Sequence, residues 1–366
     1  MIKLLTIVGT RPNIIKITQF EKVLKKSSHF SHLLVHTGQH YHYNMSDIFF
    51  SDLNIKAPDV YLEVDRNSAL SQIAQIMQKL EKVVADYKPH LIFVTGDVNS
   101  TLAGALVANK MGIRLAHVES GLRSFDKTMP EENNRILTDA VTDLYFVTEE
   151  SGVNNLLKEG KDKNDIYFVG NTMIDTLVAF ETKILKSKIS GKLNLKTKEY
   201  ALMTMHRPAC VDTKEGLLKL IHIISEITKI IKIVFPCHPR TVNRLKEMKL
   251  HGQLTNNTNT SLLEPVGYLD FQNLILNSKF VITDSGGIQE ETTFRKIPCI
   301  TLRPNTERPV TTELGSNTLI DFDIARIVPV VESIINDKYK KSQIPPLWDG
   351  KATERIFEVI EKVFNN

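Results

Sequence analysis

Acidic and histidine side chains recur in this chain where short apolar runs give way to polar turns. Asp97 closes "LIFVTGD" (91–97), Glu119 lies in "RLAHVES" (114–120), and Glu131 and Glu132 follow Pro130 in "MPEENNR" (129–135). His206 ends "YALMTMH" (200–206) and His238 ends "KIVFPCH" (232–238), while Arg11 and Lys16 stand in "VGTRPNIIK" (8–16). The most specific local pattern is "TDSGGIQEE" (283–291), an apolar run leading into Ser285-Gly286-Gly287 and then a helical segment. Glycines let a backbone approach a ligand closely, and the free N–H groups of a helix start face an anion. An acidic residue one turn on, Glu290 or Glu291, can hold a ribose diol. Basic groups with helix N-termini suit a diphosphate, and carboxylates beside them suit proton transfer at carbon or recognition of sugar hydroxyls. A metal held by the carboxylates is the rival reading. It is disfavoured because a glycine turn with basic residues binds phosphate unaided.

Singly, each residue has a plainer role. An Asx turn accounts for Asp97, solvated charge for Arg11, Lys16 and Glu119, and a Ser/Asp cap for the glycine turn. Helix-dipole compensation accounts for Glu131 and Glu132 behind Pro130. Their gathering at one kind of position is what favours a site, and the elements around them explain the gathering. Near-continuous apolar runs at 3–9, 32–38, 91–97, 114–120, 144–150 and 166–170 alternate with segments of helical periodicity. A second series follows at 200–206, 232–238, 261–267, 280–286 and 297–303. Such runs separated by helices mean parallel sheets covered on both faces. The fold class expected is α/β, with two Rossmann-like doubly wound parallel-sheet domains. Domain one spans 1–170, with the helical segment 352–366 crossing back onto it, and domain two spans 171–351. Ligands of such sheets bind outside the carboxyl ends of the strands, where these polar residues fall.

The 366 residues suffice for two domains, and 46 basic against 42 acidic residues give +4, too balanced for a nucleic-acid protein. Cys210, Cys237 and Cys299 are odd in number and widely spaced, so they read as reduced thiols rather than a zinc or redox motif. No apolar run is long enough for a membrane span or signal peptide, and a cytoplasmic protein is expected.

The same residues carry a family resemblance. "VGTRPNIIK" (8–16), "HTGQH" (36–40), "TGDVNSTLAGALVA" (95–108), "HVESGLRSFDKTMPEENNR" (117–135), "VGNTMID" (169–175), "PCHPR" (236–240), "TDSGGIQEET" (283–292) and "TERP" (306–309) resemble the non-hydrolysing UDP-N-acetylglucosamine 2-epimerases, in order and over most of the chain. The resemblance implies a GT-B-like fold with the active site in an interdomain cleft, a homodimer, and a role in cell-surface polysaccharide biosynthesis. It also implies interconversion of UDP-GlcNAc and UDP-ManNAc through loss and re-addition of UDP, with no cofactor and no metal. By match to the family's motifs, Asp97, Glu119, Glu131 and His206 are catalytic. Arg11, Lys16, His238, Ser285, Gly286, Gly287 and Arg308 bind UDP, Phe271 packs on uracil and Glu291 takes the ribose. Gln39 and His40 resemble part of a second site, where UDP-GlcNAc acts as activator. "HTGQHYHYNMSDIFF" (36–50) and "PVGYLDF" (265–271) also resemble relatives acting on UDP-2,3-diacetamido-2,3-dideoxyglucuronate. A hydrolysing 2-epimerase, a non-catalytic UDP-sugar-binding protein and a GT-B glycosyltransferase are the remaining alternatives. The chain departs from the family pattern at Asn13, where glutamate is common, at Ser120, usually alanine, and at Ala209 and Cys210, which replace a polar pair.

Overall fold

The computed structural model describes residues 1–39, 53, 55–65 and 68–365. Its chain divides into two compact units, Met1–Ala179 with Pro346–Asn366, and Phe180–Pro345. The first division falls inside the helix Thr172–Leu185, whereas the sequence pattern places it at 170/171. The second falls at 345/346, against an expected 351/352.

Unit one is built on seven strands: β1 (Ile2–Val8), β2 (Phe30–His36), β3 (Val60–Tyr61), β4 (Leu91–Thr95), β5 (Arg114–Val118), β6 (Leu144–Val147) and β7 (Ile166–Phe168). They pair in parallel in the order β3-β2-β1-β4-β5-β6-β7. Unit two has β8 (Tyr200–Thr204), β9 (Lys232–Pro236), β10 (Thr260–Leu263), β11 (Phe280–Thr283), β12 (Cys299–Leu302) and β13 (Asn317–Ile320). These pair in parallel as β10-β9-β8-β11-β12-β13. In each sheet the strand order reverses once, between β1 and β4 and between β8 and β11. Such a switch point is where a doubly wound sheet opens a crevice.

The apolar runs become strands because both sheet faces are covered. Every residue of β4 and β6 is buried. On the helix Ala69–Tyr87, Ile76, Leu80 and Val84 form a buried stripe with helical spacing. Ser68 caps that helix by accepting from the Ser71 N–H, and the left-handed Lys88 ends it. The short edge strands β3 and β13 escape a sequence reading because they are only two and four residues long, and no long apolar run marks them.

The last segment closes unit one. Trp348 is fully buried and donates its indole N–H to the Thr148 carbonyl at 2.9 Å. Asp175 accepts from the N–H groups of Ala352 (3.0 Å) and Thr353 (2.6 Å), satisfying the start of the helix Ala352–Asn365. Phe357 of that helix packs edge-on against Phe20, with ring centroids 5.2 Å apart. Trp348→Ala should therefore cost about 3–5 kcal/mol in urea unfolding, with Trp348→Phe recovering part of the loss. An unchanged midpoint in Trp348→Ala would show that the segment is not part of the core.

Candidate functional site

At the switch point of unit one, β1 runs into the helix Arg11–Ile17 and β4 into the turn Gly96-Asp97. Asn13 ties them together. Its side-chain oxygen accepts from the N–H groups of Gly9 (3.2 Å) and Thr10 (3.1 Å) and from the Thr10 hydroxyl (2.9 Å), and its amide donates to the Thr95 carbonyl (2.9 Å). Lys16, one turn on, is buried and pairs with Glu119. Glu119 lies one residue beyond β5 with φ +75, a left-handed conformation costing about 1–3 kcal/mol in a non-glycine residue. The ion pair and the bond from its N–H to the Phe146 carbonyl (3.0 Å) hold it there. Gly96, at φ +66, occupies the left-handed region that favours glycine, and a Cβ there would lie 2.8 Å from the Lys16 ammonium and 3.2 Å from the Glu119 carboxylate.

Asp97 pairs with the Arg135 guanidinium, and Arg135 is in turn gripped by Glu132, Nε at 3.0 Å and Nη2 at 2.6 Å. Glu132 is completely buried and also accepts from the N–H groups of Ser124 (2.9 Å) and Phe125 (2.8 Å). Burial pushes the Glu132 carboxyl up, but these N–H groups and Arg135 outweigh it and hold the group below its usual range. Glu131, its neighbour in the first turn of the helix Pro130–Ala140, is exposed and has no hydrogen-bond or ionic partner among the described residues. Arg11 opens the helix after β1, where burial lowers the pKa of its guanidinium.

In unit two, His206 follows β8 by two residues and Asp284 directly follows β11. Asp284 is buried and accepts from the N–H groups of His206 (2.9 Å) and Arg207 (2.8 Å), while His206 Nδ1 stands 3.0 Å from its other oxygen. Burial raises the Asp284 carboxyl, and the contacts to His206 and Arg207 bring it below its usual range. Next comes Ser285, the N-cap of the helix Gly286–Arg295, and its side chain makes no capping bond. The plain cap reading is thus not what the serine does. Behind the turn runs a buried chain of charges. Arg303 Nη2 bonds Glu307 (2.9 Å), Glu307 pairs with Arg308, and Arg308 Nε lies 3.0 Å from Glu290. A Cβ on Gly286 would sit 2.7 Å from both Arg308 and Glu307. Glycine therefore lets the turn lie against this network. Glu291, one residue from Glu290, is pushed up to about 7 by burial, with the Gln272 and Arg295 side chains opposing and Glu290 adding. Phe271 is half-buried against the core, and His238 is exposed, its ring centroid 6.3 Å from that of His206.

A family profile described as UDP-N-acetylglucosamine 2-epimerase matches residues 22–361. Over 363 residues the chain is 42% identical to a UDP-N-acetylglucosamine 2-epimerase of Methanocaldococcus jannaschii, covering 98% of each. The chain belongs to the UDP-N-acetylglucosamine 2-epimerase family. A crystal structure of the Methanocaldococcus jannaschii UDP-GlcNAc 2-epimerase in complex with UDP-GlcNAc and UDP matches with a TM-score of 0.91 and 42% identity, over 99% of this chain and 100% of that one. A UDP-2,3-diacetamido-2,3-dideoxy-D-glucuronate 2-epimerase of Pseudomonas aeruginosa is 35% identical over 99% of this chain and 100% of its own. The fold class read from the sequence, two parallel-sheet α/β domains of the GT-B type, is that of the epimerase family.

Departures from the family pattern have structural places. Cys210 faces the apolar core, and burial followed by the nearby Asp284 pushes its thiol up to about 12. Ser120 is fully buried, and its hydroxyl has no hydrogen-bond partner among the described residues. Gln39, assigned to an activator site, turns its side-chain oxygen inward to the Ser100 N–H (3.0 Å) and hydroxyl (2.7 Å), next to the start of the helix Asn99–Lys110. His40, its proposed companion, lies outside the described residues. Sequence reasoning did not single out Asp284, Arg135, Arg303 or Glu307. Asp284 stands inside the glycine motif, Arg135 ends "MPEENNR" (129–135) and Glu307 lies in "TERP" (306–309).

The two neighbouring glutamates should part in stability. Glu132→Gln leaves Arg135 short of a buried charge and should cost about 3 kcal/mol, while Glu131→Gln should stay within about 0.5 kcal/mol of wild type. Because the folded pKa of Glu132 is depressed, its contribution is present above the unfolded value and is lost as pH falls through the folded one. The gap between wild type and Glu132→Gln in urea midpoints should accordingly narrow on acidification below about pH 4.5. Equal midpoints for both variants at neutral pH would refute this division.

Proposed function

We propose that the chain is a non-hydrolysing 2-epimerase that interconverts UDP-GlcNAc and UDP-ManNAc. The observation that carries the reading is the glycine turn of unit two. It is an uncapped helix start pressed onto a buried charge network, in a chain 42% identical over its length to a UDP-GlcNAc 2-epimerase. In this reading Ser285, Gly286 and Gly287 take the diphosphate with Arg308 behind them, and Arg11, Lys16 and His238 add positive charge. Phe271 packs on uracil, and Glu291 accepts from the ribose hydroxyls. Asp97, Glu119 and Glu131 serve the sugar, and His206, steadied by Asp284, serves the departing diphosphate.

The C2–H of the sugar is not acidic by itself, so proton removal must be coupled to departure of UDP. A carboxylate takes the C2 proton, the C–H pair becomes the C1=C2 bond, and the C1–O bond breaks with its pair leaving on UDP. The product is a 2-acetamidoglucal. In the return step UDP oxygen attacks C1 as a proton reaches the opposite face of C2. Atoms and electrons balance without an oxidant or water, so the sugar stays attached to UDP. Acid and base groups on two faces are required, together with support for negative charge on UDP. A homodimer and an activating second UDP-GlcNAc, with Gln39 and His40 contributing, belong to the same proposal, as does a cytoplasmic location. Among the described residues no helix is long and apolar enough to cross a membrane.

Incubation with UDP-GlcNAc in heavy water, followed by NMR, tests the reading. UDP-ManNAc with deuterium at C2 is expected, and Glu131→Gln should abolish it while leaving the fold intact. Free ManNAc would mean a hydrolysing enzyme, and tight binding without turnover a binding protein. Turnover confined to the UDP-diacetamido-uronate would place the chain with the Pseudomonas aeruginosa relative.

Ribose recognition by Glu291 can be tested by pH. The ionised carboxylate is the stronger acceptor, so with a carboxyl near 7 UDP should bind about tenfold more tightly at pH 8 than at pH 6. Titration of the UDP phosphate is subtracted by the same comparison in Glu291→Gln, in which the Glu291 contribution should vanish. Parallel pH profiles for the two proteins would remove Glu291 from the site.

A further inference from the structure

The carboxylates assigned to the sugar stand on three segments: Asp97 on the turn after β4, Glu119 on the turn after β5, and Glu131 on the helix Pro130–Ala140. What fixes these segments to one another lies beneath them. His117 on β5 and Asp139 in the last turn of the helix are both completely buried. His117 Nδ1 is 2.7 Å from Asp139 Oδ1, and its Nε2 is 2.8 Å from the Gly96 carbonyl oxygen. Both neighbours are acceptors, since burial raises the Asp139 carboxyl but His117 and Arg123 outweigh it and keep the group ionised. The Gly96 carbonyl can only accept, so Nε2 carries a hydrogen, and the imidazole bridges that carbonyl and the Asp139 carboxylate.

The other oxygen of Asp139 accepts from the Gly121 N–H at 3.0 Å and lies 2.7 Å from Arg123 Nη1. Arg123 is anchored by Glu159 through Nε (2.8 Å) and Nη2 (2.7 Å). Gly96 immediately precedes Asp97, and Gly121 follows Glu119 by two residues. Both glycines are left-handed, at φ +66 and +78, and a Cβ on Gly121 would strike the Gly152 carbonyl at 2.4 Å. One imidazole and one carboxylate thus join the backbone beside Asp97, the backbone beside Glu119 and the helix that carries Glu131.

We propose that His117 and Asp139 are positioning residues for epimerisation, holding the three carboxylates in the geometry that proton transfer requires. The proposal rests on the function argued above. Displacing a reacting group by about 1 Å costs on the order of 10²-fold in rate, and a cut in this bridge frees two turns at once. Both residues lie in unit one, whereas the glycine turn argued to take the diphosphate lies in unit two.

The test is steady-state kinetics on UDP-GlcNAc with UDP affinity by calorimetry, for wild type, His117→Gln, Asp139→Asn and the double variant. In each single variant kcat should fall by about 10²-fold, with KM and UDP affinity within about threefold of wild type. The double variant, whose amides can bond each other, should regain at least about tenfold of the lost kcat. Folded single variants with kcat within twofold of wild type would overturn the proposal. Equal loss of turnover and UDP affinity, or no recovery in the double variant, would do the same, since a general structural role predicts both. Should His117→Gln fail to fold, Asp139→Asn, which retains an acceptor oxygen, carries the same comparison. Wild-type protein that binds UDP but does not turn over UDP-GlcNAc would overturn the function itself, and the positioning role with it.

Discussion

Parallel strand pairing governs where charge can reside in this molecule. A strand covered on both faces has no place for a polar side chain unless a partner comes with it. β4, β6, β11 and β12 are accordingly buried throughout. Polar residues collect just past the strand ends instead, at Thr10, Asp97, Glu119, His206, Asp284 and Arg303. His117 lies within a strand, and it brings both its partners, Asp139 and the Gly96 carbonyl. The edge that can bind a ligand is thus a consequence of the sheet's own requirement.

Once there, the charges are held in paired and largely buried sets. Lys16 faces Glu119, Arg135 faces Asp97 and Glu132, and Arg303 and Arg308 face Glu307 and Glu290. Such pairs add little net stability, because desolvation offsets much of the Coulombic gain, and apolar replacements of equal shape are often as stable. Their use lies in placement. Each set holds a turn in a conformation that packing alone would not select, such as Glu119 at φ +75 or Gly286 against Arg308. Glu131 and His206 differ in kind. Glu131 is exposed and His206 is 45% exposed, outside these buried sets.

Much of this was legible in the sequence because long buried strands advertise themselves as apolar runs. The edge strands β3 and β13 are not, since Val60-Tyr61 and Leu319-Ile320 are too short to stand out as runs. The division between the units falls inside the helix Thr172–Leu185, which carries no break there, so no local pattern marks it. Long-range partners were silent for a different reason. Asp139 meets His117 across 22 positions and Asp284 meets His206 across 78, and no local pattern records such a meeting. Periodicity could only say that Glu131 and Glu132 point about 100° apart. It took the burial of Glu132 against Arg135 to show which of them serves the scaffold.

Asn13, where the family commonly has glutamate, shows how finely the set is balanced. Its amide group donates to the Thr95 carbonyl while its oxygen accepts from three donors at the end of β1. An ionised glutamate can accept but cannot donate to Thr95. Asn13 also lies close to the Lys16–Glu119 pair, since all three side chains crowd the position where a Cβ of Gly96 would stand. A carboxylate there would draw on the charge of Lys16, leaving less of it for Glu119. With asparagine no second carboxylate competes for the lysine, and the strained turn that presents Glu119 keeps the ion pair that holds it.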